Sequence, residues 1–520
     1  MTMDQENNAV EYPREQVEKC IEENMDEAIQ TLKSLISIKS VAGSAERENT
    51  PDGVVVYPFG KGVQNVFETA LAKGQDLGFE TCDVDHYGGH IEWKGMPADR
   101  SDEAGSPGGE HDGQTEETGK AAGETLGVLA HLDVVPEGEG WEHEPFSGDI
   151  EDGYIWGRGS IDDKGPLTAV LYAMKSLKDA GYVPAKNIRL IIGLDEETNW
   201  DGMEYYFRHM PKPDYGFSPD ADFPVLNGEK GIMSFKIAAK LKRDTVKGLE
   251  LRKLSGGTAV NMVPAQARAV VNDQDPAIYD RIRDMADNYE MTTGHALGIH
   301  KMGKSLEITA KGKSAHGSMP EQGVNAVSIL IGFLGQLNFV NEDLCRFFDF
   351  YNDCIGMTTD GSKIGIAMAD EQSGALTMNP GLLEYDGQAV SVKCDVRYPV
   401  TKSSDDVYDG MMPFIDKYSL GILKCEDRAP IYLDPDSPMI KTFMDCYRDA
   451  TGDTEHRPIV IGGGTYARTC DNVVAFGAMF PGDPQLEHQP NERISLDRFS
   501  QIMRIYAEAI YRLTQPDFSF

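Results

Sequence analysis

Apolar positions recur at helical spacing over residues 26–39 (DEAIQTLKSLISIK) and again over 63–77, predicting two amphipathic helices. The pattern then shortens. FETCDVD (79–85) and HIEWKG (90–95) read as a strand pair, with Tyr87-Gly88-Gly89 as the hairpin turn. TLGVLA (125–130), Tyr154–Trp156 and the continuous apolar run NIRLIIGL (187–194) predict three further strands. Between the last two, Pro166 opens a helix at the tolerated first position, and Gly181 ends it after about Ala180. This alternation of helix and strand predicts an α/β layer with a mostly parallel sheet flanked by helices.

The texture changes near Gly231. Strands are expected at 232–240, 266–272, 304–311 and 389–398, and helices at 276–290 and 321–338, an α+β pattern about 200 residues long. Beyond about residue 430 the first texture returns. The expected division is therefore a catalytic domain in two parts, 1–230 and 431–520, interrupted by an inserted α+β domain over 231–430. Residues 97–124 stand apart, with eight acids, two bases, six glycines and no Val, Ile, Leu, Met or aromatic residue. Such a segment cannot offset its ordering entropy by burial and reads as a disordered acidic insertion.

Charge narrows the partners. Against 49 Lys and Arg stand 85 Asp and Glu, a formal net charge of −36, so nucleic acid and anionic membrane would be repelled. No apolar run approaches a membrane span, and the first residues carry no signal-peptide pattern. Eight cysteines, none in a C-x-x-C pair, fit reduced thiols in a cytoplasmic protein.

Candidate chemistry gathers where strands end. His131-Leu132-Asp133 follows a strand directly and is either a metal ligand with its orienting carboxylate or a loop-capping pair. Asp162 and Asp163, framed by Gly157, Gly159 and Gly165, are either helix caps or a carboxylate bridge between metals. Asp195-Glu196-Glu197 ends the buried strand, where a solvated turn tolerates three acids and a dication tolerates them better. Asp220 sits in a Pro-bounded turn, and His488 lies near the C-terminus. Together these supply imidazole and carboxylate donors suited to zinc, cobalt or manganese.

The order of motifs resembles the dizinc peptidase family that contains glutamate carboxypeptidase, aminoacylase, succinyl-diaminopimelate desuccinylase and carnosinase. Within it the chain looks most like the PepV-type bacterial dipeptidases. The motifs are HLDVVP, GRGSIDDKGP, DEETNWDGMEYYF, FSPDADFPVLNGEKG, GGTAVNMVP, KGKSAHGSMP, GGGTYAR and the late His488. The resemblance implies two zinc ions, with His131 and Asp220 on one, Glu197 and His488 on the other, and Asp162 bridging. It implies a cis Asp162–Asp163 bond, Asp133 orienting His131, and Glu196 as general base. From the inserted domain, a lid, it implies His316 on the scissile carbonyl, with Asn261 and Arg397 on the substrate's carboxylate end. Gly463, Gly464 and Thr465 would offer backbone donors to that same carboxylate.

The implied activity is hydrolysis of free dipeptides by a monomer, the lid closing on hinges near residues 230 and 430. An N-acyl amino acid deacylase would share the metal centre and differ only in its amine-side pocket. A binding protein without turnover is opposed by the presence of both Glu196 and His316.

Overall fold

The computed structural model describes residues 12–50, 53–96, 123–242 and 247–520. Residues 97–122 of the acidic insertion lie outside the described residues. The chain divides into two compact units: residues up to Asn227 with Leu433–Ile459 and Thr465–Phe520, and Gly228–Tyr432 with Val460–Gly464.

The first unit is built on a mixed sheet. Its consecutive neighbours are Val473–Ala475, Tyr215–Ser218, Thr125–His131, Asn187–Gly193, Gly89–Trp93 and Glu80–Asp83. The first four run parallel, and Gly89–Trp93 pairs antiparallel with both Asn187–Gly193 and Glu80–Asp83. Thr125–His131 is buried along its whole length, because helices cover both faces of a parallel core. Thr125 pairs with Asn187 and His131 with Gly193, so the two central strands end level with each other. The helix Lys164–Asp179 packs on both Arg14–Ile36 and Leu496–Leu513.

Where element boundaries differ from the sequence reading, a local cause is visible. The first helix begins at Arg14 rather than 26, because Val17, Cys20 and Ile21 continue its buried stripe among charged neighbours. The hairpin turns at Asp85 and His86, with φ of 52° and 65°, and not at Tyr87-Gly88-Gly89. Both residues take the left-handed region, and the Tyr87 N–H donates to the Val84 carbonyl. Pro166 is the third helical residue, not the first; its missing N–H is still one of those a first turn leaves unbonded. Asp201–His209, unread in the sequence, is a short helix.

The second unit holds an eight-stranded antiparallel sheet. Its order is Leu297–Met302, Ser305–Lys311, Gln266–Asn272, Glu250–Gly256, Thr377–Tyr385, Ala389–Tyr398, Gly231–Lys240 and Gly421–Arg428. Helices including Ala326–Leu334 and Glu342–Cys354 pack on its strands and bury a core of their own. The helix expected over 321–338 is confined to Ala326–Leu334, because the Asn325 side chain caps it by accepting the Val327 and Ser328 N–H groups.

In the first unit an aromatic cluster locks the end of Val473–Ala475. The Phe476 ring lies 4.4 Å from Phe443, 5.1 Å from Phe223 and 5.9 Å from Phe217, between centroids. The Phe476 carbonyl accepts the Tyr506 hydroxyl at 2.9 Å. Phe476→Ala should lower stability by about 3–5 kcal/mol, read as an earlier urea transition of the first unit. A shift no larger than that of an exposed control such as Val183→Ala would show that the cluster does not carry this load.

Candidate metal centre

The two level strand ends set the site. His131 is the last residue of its strand, and Asp195-Glu196-Glu197 begins two residues after Asn187–Gly193 ends. Asp133 ties the two together. Its backbone carbonyl lies 2.9 Å from His131 Nδ1, while its carboxylate accepts the N–H of Glu196 at 3.0 Å and of Glu197 at 3.1 Å. In the neutral ring this Nδ1–H···O=C bond leaves the lone pair on Nε2, the nitrogen a cation would take. So it is the Asp133 carbonyl that makes the close contact to the ring, the nearest carboxylate oxygen standing at 3.4 Å.

Asp162 stands between two imidazoles. Oδ1 is 2.9 Å from His131 Nε2 and Oδ2 is 2.9 Å from His488 Nε2. His131 Nε2 also lies 3.6 Å from Asp220, and His488 Nε2 lies 3.0 Å from Glu197. The bond between Asp162 and Asp163 is cis. Among the described residues, two donor groups each have their atoms within 4.8 Å of one another: His131 with Glu196 and Asp220, and Asp162 with Glu197 and His488.

The electrostatics follow from crowding acids in a buried place. Burial pushes the Glu196 carboxyl well up, and the nearby Asp220 carboxylate adds to it. Burial and then Asp162 raise Glu197 to about 7. Asp220 rises for the same two reasons. Burial also pushes Asp162 up, but hydrogen bonds from His131 and His488 outweigh it and hold its carboxyl below the usual range. His488, bonded to Asp162 and Glu197, is raised to about 11. His131 is raised well above its ordinary value, its acidic neighbours overcoming burial. The pocket thus fills with protons, on imidazoles and on carboxyls, to balance its own negative charge. Divalent cations would perform the same balancing, and the mixed oxygen and imidazole donors suit them.

A family model described as peptidase family M20/M25/M40 matches residues 127–512. The chain belongs to this family. YtjP of Bacillus subtilis strain 168, whose name carries a provisional dipeptidase assignment, is 37% identical over 461 residues, 88% of this chain and 92% of that one. The Beta-Ala-Xaa dipeptidase of Lactobacillus delbrueckii subsp. lactis is 34% identical over 504 residues, 95% of this chain and 98% of the relative. Human carnosine dipeptidase 1 shares the fold, with a TM-score of 0.54 at 16% identity over 97% of this chain and 99% of that one. Membership brings metal ions with it, which accords with the two donor groups.

The remaining residues singled out in the sequence lie apart from this cluster in the chain. His316, Asn261, Arg397, Gly463 and Gly464 belong to the second unit, and Thr465 to the first. His316 Nδ1 lies 2.6 Å from Ser318 Oγ and accepts the Ser318 N–H at 3.3 Å, which places the ring proton on Nε2. The Asn261 carbonyl accepts the Gly317 N–H at 2.6 Å and so braces the His316 segment. Arg397 is buried; its Nε donates to Asp395 at 3.1 Å and its Nη1 to the Gly462 carbonyl at 2.8 Å. Thr465 Oγ1 accepts the Ala467 N–H and caps a short turn of helix.

Two neighbours of the cluster have structural roles that the sequence did not specify. Asp163 accepts the His131 N–H at 3.0 Å, holding that strand end. Tyr466 lies edge-on to the His131 ring, 6.3 Å between centroids. It reaches there only because residue 193 is glycine: a Cβ at that position would stand 2.2 Å from the Tyr466 ring.

The charge balance gives the metal-free protein a definite pH dependence. Glu197, Asp195 and Glu487 each have folded pKa values raised to about 7, so between pH 5 and 7 the unfolded chain releases these protons first. Stability therefore falls as pH rises through that window. The raised His488 adds to the fall above its ordinary value of 6.5. Chelated protein should melt at a lower temperature at pH 7 than at pH 5, and added zinc should raise the melting point more at pH 7. A melting point independent of pH, with no larger zinc effect at pH 7, would contradict this picture of the cluster.

Proposed function

We propose that this chain is a metal-dependent dipeptidase that hydrolyses free dipeptides, β-alanyl ones included. The single observation carrying the reading is the pair of donor groups meeting at Asp162, one carboxylate oxygen toward each imidazole. The names of the relatives and the family membership support the substrate class. In this reading His131 and Asp220 hold one zinc ion, Glu197 and His488 hold the second, and Asp162 serves both. Cobalt or manganese would suit the same donors.

Bound there, two divalent cations supply Lewis-acid polarisation of the scissile carbonyl and acidify water. The protein supplies the proton handling. Glu196 accepts the proton of the attacking water and returns it to the departing amine. Its buried, acid-crowded setting suits this role, since it raises the carboxyl's affinity for a proton toward the range a general base needs. The Asp133 carboxylate fixes the Glu196 backbone, and through it the base. The second unit acts as a lid. His316 carries its proton on Nε2 and with that N–H donates a hydrogen bond to the oxyanion that forms on attack. Asn261 and Arg397 receive the substrate's carboxylate end, with Gly463, Gly464 and Thr465 beside them. A single chain holds all of these groups, in keeping with a monomer. No helix among the described residues is long and apolar enough to cross a membrane. All eight cysteines are free thiols, which favours the cytoplasm as the compartment.

Glu196 lies within ligand distance in one donor group, so base and ligand roles must be told apart. Glu196→Gln should keep its full complement of zinc and lose about 10²–10⁴-fold in kcat. Loss of one zinc with the activity would make Glu196 a ligand instead.

Substrate class is read from a panel of free dipeptides, a tripeptide, β-alanyl-histidine and N-acetyl amino acids, before and after chelation. Zinc-dependent cleavage of the dipeptides alone is expected. Cleavage of only the acetylated compounds would overturn the dipeptidase assignment in favour of a deacylase.

A further inference from the structure

Glu492 is fully buried, follows His488 by four residues and belongs to neither donor group. Its carboxylate is nevertheless densely hydrogen-bonded. Oε1 accepts three backbone N–H groups from one loop: Gly159 at 3.0 Å, Ile161 at 2.9 Å and Asp162 at 3.3 Å. Oε2 accepts Arg158 Nη1 at 2.5 Å. The Glu492 carbonyl accepts the Gly157 N–H at 2.9 Å, continuing the pairing of Arg493–Ser495 with Tyr154–Trp156. Arg158 is itself buried, with its guanidinium over the Trp141 ring.

A carboxylate withdrawn this far from water persists only where charge and hydrogen bonds replace hydration. Here one arginine and three amides do so, and all four come from residues 158–162. Removing any of them leaves a buried partner unsatisfied. The carboxylate therefore defines the path of the loop that ends in Asp162. The same residue sits at the base of the segment that carries His488. Two segments more than three hundred positions apart are joined at one side chain, next to the carboxylate that faces both imidazoles.

We propose that Glu492 is a positioning residue for metal binding: its carboxylate holds the 158–162 loop and the His488 segment in one register, and so sets where Asp162 stands between His131 and His488. This rests on reading the two donor groups as cation sites. Glu492 touches neither substrate nor reacting atoms and acts through Asp162 and His488.

The test measures zinc affinity by competition with a chromophoric chelator, in wild type, Glu492→Gln and Glu492→Asp. Glu492→Gln keeps an acceptor for the amides but removes the charge that holds Arg158. Glu492→Asp keeps the charge but retracts it by one methylene. Both should weaken zinc binding by about 10–100-fold, with the metal-free far-UV spectrum unchanged. With dipeptide at saturating zinc, KM should stay near the wild-type value while kcat falls. Unchanged zinc affinity alongside a lowered melting temperature would overturn the proposal and leave Glu492 a structural residue only. A wild-type chain that binds no zinc, cobalt or manganese would instead overturn the cation reading, and the proposal with it.

Hydrogen exchange on the wild-type chain covers the case in which neither variant folds. Peptides spanning 157–165 and 485–495 should gain protection together as zinc is added. Protection of the two at different zinc concentrations would show that they are not joined and overturn the proposal.

Discussion

Too much negative charge in too small and dry a place is the constraint around which the first unit is organised. Asp162, Glu196, Glu197 and Asp220 converge on two imidazoles, with Asp163 and Asp195 buried close behind. Left to themselves such groups neutralise by taking up protons, as the raised carboxyls and imidazoles show. A fold that keeps them together against that tendency is one whose working state includes cations. Family membership says the same from an independent direction.

The scaffold meets this constraint first with backbone geometry. Parallel strands deliver their C-terminal ends to one edge, where ligands of open α/β sheets gather. The equal register of Thr125–His131 and Asn187–Gly193 brings His131 level with the turn that follows the second strand. Asp133 then accepts the N–H groups of Glu196 and Glu197, so an acid whose carboxylate stands 3.4 Å from the His131 ring also sets two acids that face the cluster. Glu492 does the corresponding work on the opposite loop. In both places backbone amides satisfy a buried carboxylate, and at Glu492 the Arg158 guanidinium joins them.

Much of this was legible in one dimension. The continuous run at 187–194 announced a strand covered on both faces, and the strand Tyr154–Trp156 fell where its aromatic and β-branched residues placed it. Departures arose where a polar side chain or an unusual backbone conformation outweighed periodicity. Asn325 capped a helix that apolar spacing would have begun earlier, and Asp85 with His86 took left-handed conformations that glycine-based turn rules assign to Gly88 and Gly89. Val17, Cys20 and Ile21 lay among too many charged residues for their stripe to stand out.

Sequence by itself determined the chemistry on offer: which acids and histidines fall at strand ends, in what order, and that the whole sums to a family motif set. Residue type and strand periodicity are local properties, and each of those positions could be read from its neighbours. Only the tertiary structure decided how the pieces share their work. That Asp162 turns one oxygen toward each imidazole depends on two loops meeting from distant parts of the chain. That Asp133 contacts His131 through its carbonyl and spends its carboxylate on Glu196 and Glu197 depends on two strands ending level. That Glu492 bonds the 158–162 loop depends on a partner more than three hundred residues away. Hydrogen bonds of this kind are set by distances in space, and spacing along a sequence does not encode them.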